Sequence, residues 1–296
     1  MGSITKKIRK LLKLISVRFN YYWMDLMPGE KIVVNYWIPP RSNPEFYNFG
    51  DDLNRYLIEL ITGKKVIPYL YSLTARIQNK INYLCIGSTI CQLTNEKCVI
   101  WGSGVLSPTD ELSHKPFKVK AVRGPLTRNY LLQKGVDCPE VYGDPALLLP
   151  RYYKPEFLNK KYKMGIIPHY VDKNNPVLDR FRDTEDIIVL DVQDYGSFNS
   201  FINKICSCQF IASSSLHGLI ISDAYGIPNV WVQFSKNIIG GRFKFEDYFL
   251  SVKRSQNDFP IVINSPGGIQ ELLKYDHMFT EPDINLDLLM ESCPFV

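Results

Sequence analysis

Lys118-Val119-Lys120-Ala121-Val122-Arg123-Gly124-Pro125-Leu126-Thr127, continued by Arg128–Gln133, is the stretch that decides the fold. Lys118–Val122 reads as a strand, and Pro125–Gln133 as a helix stopped by Gly135. Only Arg123-Gly124 separates them. Proline suits the first helical turn, where its missing N–H would lack a partner anyway. Val141–Tyr142 begins a further short strand, ended by Gly143-Asp144-Pro145. Strand, tight junction, helix, strand is the grammar of a parallel sheet, because parallel neighbours need a crossover.

The same grammar extends outward. Upstream, Ile32–Trp37, Tyr83–Ile86 and Cys98–Trp101 read as strands and Asp51–Ile61 as a helix. Residues 150–162 break the alternation like a linker. Beyond them Met164–Pro168, Ile187–Leu190, Phe210–Ala212 and Val230–Gln233 read as strands, with helices near Ser197–Ile205 and Ser215–Tyr225. Gly268–Lys274 and Leu286–Glu291 look helical. The expected class is α/β, with two Rossmann-like domains facing a cleft. The expected division is a leader at 1–30, domains at 31–155 and 156–265, and a C-terminal helical segment at 266–296.

Charge separates one segment from the rest. The 296 residues carry a net charge of +5, yet residues 1–24 hold Lys6, Lys7, Arg9, Lys10, Lys13 and Arg18 without an acid. The remainder, 29 basic and 30 acidic residues, has no nucleic-acid surface in its balance. Ile4, Ile8, Leu11, Ile15, Phe19 and Tyr22 share one helical face in the leader. Such a basic amphipathic helix lies on an anionic leaflet, with Tyr21, Tyr22 and Trp23 as interfacial anchors, or packs its stripe on the protein's own body. Lys6 stands where a myristoylation signal needs Ser or Thr. No apolar run approaches the roughly 18 residues of a membrane span. Seven scattered cysteines, with Cys206 and Cys208 two apart in an expected strand, read as buried thiols of a reducing cytoplasm.

Chemistry in open α/β sheets gathers beyond the carboxyl ends of strands. Four junctions carry unusual residues. In Asn48-Phe49-Gly50-Asp51-Asp52-Leu53, Asp51 is expected to cap a helix while Asn48 faces the cleft. Trp101-Gly102-Ser103-Gly104 closes a strand, either as part of a dinucleotide fingerprint whose third glycine position holds Ser107 or as tight strand-to-loop packing. Arg123 stands beside the free N–H groups of a helix start, as an anion ligand or paired with an acid such as Asp144. Ser213-Ser214-Ser215-Leu216-His217-Gly218 offers hydroxyls, and places His217 where the helix dipole disfavours its protonated form.

These junctions in this order, with Gly143-Asp144-Pro145-Ala146 and Phe243-Lys244-Phe245-Glu246-Asp247-Tyr248, resemble the polysaccharide pyruvyltransferase family over roughly residues 45–250. The resemblance implies a GT-B-like enzyme that moves pyruvate from phosphoenolpyruvate onto a sugar as a ketal, in capsule, exopolysaccharide or cell-wall biosynthesis. Many relatives carry Arg immediately before the Leu-His pair, where this chain has Ser215. Donor charge then falls to Arg123, Lys244 and Arg242.

The expected catalytic groups are His217, Asp51 and Asp144. The donor would meet Arg123, Lys244, Ser214, Ser215, Gly102, Ser103 and Gly104, and the acceptor Asn48 and Tyr47. Tyr47, Phe49, Trp37 and Tyr69 are aromatic candidates for sugar stacking. No metal or cofactor is expected beyond phosphoenolpyruvate as co-substrate. The expected acceptor is a lipid-linked oligosaccharide, reached from the cytoplasm at the inner face of the membrane through residues 1–24. A GT-B-type glycosyltransferase using a nucleotide sugar is the alternative.

Overall fold

The computed structural model describes residues 19–38, 48–156, 159–182, 184–254 and 260–296. Most of the basic leader, residues 1–18, and Tyr47 therefore lie outside the described residues. Two five-stranded parallel sheets form the frame. The first contains β1 (Lys31–Val34), β2 (Lys65–Pro68), β3 (Asn82–Leu84), β4 (Cys98–Trp101) and β5 (Lys118–Ala121), in the order β2-β1-β3-β4-β5. The second contains β6 (Tyr162–Ile167), β7 (Ile187–Val189), β8 (Cys208–Ser213), β9 (Asn229–Gln233) and β10 (Ile261–Val262), in the order β10-β9-β8-β6-β7. Numbered from its own first strand, the second sheet repeats the order of the first. The repeat is topological; the residues carry no visible trace of it.

Parallel strands covered on both faces are apolar throughout rather than alternating. Cys98-Val99-Ile100-Trp101 is buried at every position, and in β8 only Gln209 reaches the surface. Two edge strands, Lys65–Pro68 and Ile261–Val262, escape the sequence reading. Each is short and pairs along one side, and Pro68 is tolerated because an edge leaves its missing N–H without consequence. Val141–Tyr142 contributes only a single bridge, Tyr142 to Val122, rather than a strand.

Helix α1 (Phe49–Thr62) follows β1, and α2 (Pro125–Gln133) follows β5. Helix α3 (Phe198–Cys206) precedes β8, α4 (Leu216–Ala224) follows it, and α5 (Phe243–Ser251) follows β9. Cys206 thus ends a helix while Cys208 opens a strand, so the two do not share a strand face. All seven cysteines are buried and unpaired. Helix α6 (Leu286–Glu291) returns to the first sheet, where the Trp101 indole N–H donates to the Leu289 carbonyl at 3.0 Å.

The halves meet through α1. The Phe49 N–H donates to the Val192 carbonyl at 2.8 Å, and the Tyr195 hydroxyl donates to Asp52 at 2.6 Å. The Phe49 ring is buried among Tyr195, Phe198 and Phe201, so it is core and not a sugar platform. Among the described residues, no helix is long and apolar enough to cross a membrane.

Candidate functional site

In each sheet the strand order reverses once, between β1 and β3 and between β6 and β8. Crevices open at such points beyond the carboxyl ends of the strands. The loops after β3, β4 and β5 on one side, and after β6 and β8 on the other, supply the groups described below. The starts of α1 and α5 and the turn after the Tyr142 bridge, which carries Asp144, supply the rest.

The start of α1 reverses the expected roles of two residues. Asn48 is the N-cap, its side-chain oxygen accepting from the Gly50 N–H at 3.1 Å, while Asp51 and Asp52 occupy the first turn. The extended backbone of Asn48 turns its oxygen onto the helix. Asp51 is therefore left for other work. Burial, then the neighbouring Asp52, pushes its carboxyl up to about 7 against the opposing pull of Lys244.

His217 lies in the first turn of α4 and rests on the backbone of α1. A Cβ added to Gly50 would stand 2.0 Å from the imidazole Nδ1, so only glycine lets the two helix starts approach. The other ring nitrogen, Nε2, is buried, has no hydrogen-bond partner among the described residues, and sits 3.9 Å from Asp144 Oδ2. Burial, then Arg123 and Lys244, lowers the imidazole to about 3, so it is neutral near pH 7. Asp144 caps the following turn by accepting from the Ala146 N–H at 2.9 Å. Burial raises its carboxyl to about 7, partly offset by that hydrogen bond and by Arg123.

Lys244, in the first turn of α5, is 7% exposed and has no salt-bridge partner within 4.0 Å among the described residues. Burial, then the Arg123 charge, lowers its ammonium to about 8 while Asp51 pulls it back up. It in turn acts on His217 and on His169, which burial and Lys244 hold at about 3. Arg242, two residues earlier at the N-cap, pairs with Glu246 at 2.9 Å.

Arg123 is fully buried and bound on every side. Its Nε donates to Asp247 Oδ2 at 3.0 Å, one terminal nitrogen to the Val105 carbonyl at 2.8 Å, and the other to the Ser88 hydroxyl. Its acid partner is thus Asp247 rather than Asp144. Asp247 also accepts from the Thr127 N–H at 2.9 Å and hydroxyl at 2.7 Å, fastening α5 to the start of α2. The field of the guanidinium reaches His217, Asp144 and Lys244.

Gly102-Ser103-Gly104 is the floor beneath it. Gly102 has φ +91°, and a Cβ there would stand 2.2 Å from the Pro145 ring. The buried Ser103 hydroxyl donates to the Gly87 carbonyl at 2.9 Å. A Cβ on Gly104 would stand 2.3 Å from the Arg123 guanidinium carbon. These hydrogen bonds and close approaches make the segment tightly packed.

At the second crevice, the His169 N–H donates to the buried Ser214 hydroxyl at 2.8 Å, and that hydroxyl donates to Asp172 at 3.4 Å. Ser215 is the N-cap of α4 but makes no capping hydrogen bond with its side chain. Asp172 and Asp247 are the partners that sequence reasoning missed. Asp247 stood inside a quoted motif, but nothing in the spacing linked it to Arg123, 124 positions away. Among the described residues, no group of three His, Cys, Asp or Glu side chains is placed to hold a metal ion.

His217, Asp144, Asp51, Lys244 and His169 thus share one electrostatic neighbourhood, held by glycines that let backbones close. The model of the polysaccharide pyruvyl transferase family matches residues 41–235, and the chain belongs to that family. The chain is 32% identical over 216 residues to an uncharacterized protein of Acanthamoeba polyphaga mimivirus, covering 71% of this chain and 72% of that one. It is 28% identical over 203 residues to the succinoglycan biosynthesis protein ExoV of Rhizobium meliloti, covering 68% of this chain and 60% of ExoV.

Proposed function

We propose that the chain transfers pyruvate from phosphoenolpyruvate to two hydroxyls of one sugar, forming a ketal on a lipid-linked repeat unit of a capsule or exopolysaccharide. The observation that carries this is Lys244, a buried ammonium with no ion-pair partner among the described residues, placed where its charge reaches His217 and Asp51. A small dianion answers that charge. Its phosphate and carboxylate would face Lys244 and the open helix start at Ser214–His217, with Arg123 adding field from below.

The transfer needs a proton delivered to C3 of the enol and hydroxyl protons removed. Protonation at C3 makes C2 electrophilic, the first sugar hydroxyl adds there, phosphate leaves, and the second hydroxyl closes the ketal. One hydroxyl proton balances the C3 proton and the other leaves with phosphate. The neutral His217 is a base, and the carboxyls of Asp144 and Asp51, both raised to about 7, are shared between protonated and ionised forms near neutral pH. A bound dianion would raise His217 and let it share both duties. Asn48 and Tyr47 remain candidates for acceptor contact, and no cofactor beyond the co-substrate enters the scheme.

We place the two Rossmann-like domains at 31–155 and 156–265 in a GT-B-like pair, a reading supported by the repeated strand order. The deciding experiment incubates the protein with lipid-linked, galactose-bearing oligosaccharides and labelled phosphoenolpyruvate. Mass gain of one pyruvate ketal with release of phosphate is expected. Sugar transfer from a nucleotide sugar instead would establish the glycosyltransferase alternative.

A further inference from the structure

Residues 19–26 form a helix that uses one face and leaves the other bare. On the inner face Tyr21 and Tyr22 contact the Tyr71 ring, with centroids 5.8 and 5.6 Å away. The buried Asp25 accepts from the Ser72 hydroxyl at 2.7 Å and the Thr74 N–H at 2.9 Å. On the opposite face Phe19, Trp23, Leu26 and Met27 project into solvent, Trp23 with 59% of its surface exposed. The segment bound by Asp25 runs into the short helix Leu73–Ile77 and bares Leu70, Leu73 and Ile77, the last 81% exposed.

Exposed apolar side chains concentrated on two joined elements mark a contact surface. The charges around them identify the partner. Lys31, Arg76 and Lys80 are exposed or half-buried there, Glu30 is ion-paired with Lys64 at 2.6 Å, and Asp25 is buried. Immediately upstream the sequence adds six cations and no acid. A second copy of this surface would bring like charges together, whereas anionic headgroups would neutralise them. Tryptophan at the edge of such a surface suits the headgroup level.

We propose that the exposed faces of residues 19–27 and 70–77 together dock the protein on an anionic lipid leaflet. Docking stands independently of pyruvyl transfer; its use in reaching a lipid-carried acceptor rests on that reading.

The test is flotation of the full chain with phosphatidylcholine–phosphatidylglycerol vesicles and with phosphatidylcholine vesicles alone. The unaltered protein should float with the first and stay behind with the second. Trp23→Ser with Leu26→Ser should lower the bound fraction about tenfold, and Ile77→Ser should lower it less. Melting temperature and transfer to a soluble sugar acceptor should stay unchanged, because these side chains face solvent. Flotation unaffected by the substitutions would overturn the proposal, as would no flotation of the unaltered chain. A dimer that the double substitution converts to monomer, without vesicle binding, would make the surface a self-interface and also overturn it. Absent pyruvyl transfer with intact flotation would count against the function alone.

Discussion

His217 Nε2 faces Asp144 Oδ2 across 3.9 Å and has no hydrogen-bond partner among the described residues. A buried ring nitrogen without a partner is unfavourable for the fold alone, and a substrate hydroxyl between the two groups would satisfy both. His217→Ala should therefore lower kcat by about 100-fold or more, the usual worth of a positioned acid–base group. Phosphate release and ketal formation measure it; near-normal turnover would discard the role, provided the melting curve shows a folded protein.

Gly50→Ala offers a quieter version of the same test. The new methyl would meet the imidazole at 2.0 Å from Nδ1, and the ring would have to leave its place. Activity should fall while α1, whose helical propensity alanine improves, keeps its circular dichroism. Unchanged kcat/KM would mean that the ring position is immaterial.

Lys244→Met should raise the KM for phosphoenolpyruvate by about tenfold or more, with a smaller effect on the acceptor KM. It also removes a charge that holds His217 and His169 down, so both imidazoles should titrate at higher pH by NMR. Histidine titrations that stay put would separate Lys244 from the site.

The Asp144 carboxyl, raised to about 7, binds its proton more tightly in the folded chain than in the unfolded one. Its stabilising share is complete below the ordinary carboxylate range, near pH 4, and is lost as pH rises through about 7. His217, lowered to about 3, acts in the opposite sense, losing stability as pH falls from about 6.5 toward 3. In Asp144→Asn the first contribution disappears, so urea-unfolding stability should rise more steeply, or fall less, between pH 4 and 7 than in the parent. Identical pH profiles would refute the raised carboxyl.

Arg123→Met should leave Asp247 buried and uncompensated, at a cost of about 3–5 kcal/mol. Adding Asp247→Leu should restore part of that stability in chemical denaturation. A single variant of parental stability would show that Arg123 is not the tie between the loop after β5 and α5.

Much of the fold was legible because its signals are local. Cys98–Trp101, Pro125–Gln133 and Leu286–Glu291 fall where apolar runs, a first-turn proline and a glycine stop place them. Candidate site residues were equally legible, since glycine, serine and histidine at strand-to-helix junctions are chemical statements in themselves. Other assignments depended on partners far along the chain. Whether Asn48 or Asp51 caps α1 turns on backbone angles, and the acid that Arg123 meets is Asp247, which only packing of α5 brings near.

The sequence by itself determined the alternation of strands and helices, the junctions that hold chemistry, and the charge of the leader, because each depends on neighbours a few residues apart. The tertiary structure alone decided the repeated strand order, the burial that neutralises His217 and raises Asp144, and the pairing of Arg123 with Asp247. Desolvation and ion pairing depend on which surfaces close over a group, and those surfaces come from opposite halves of the chain.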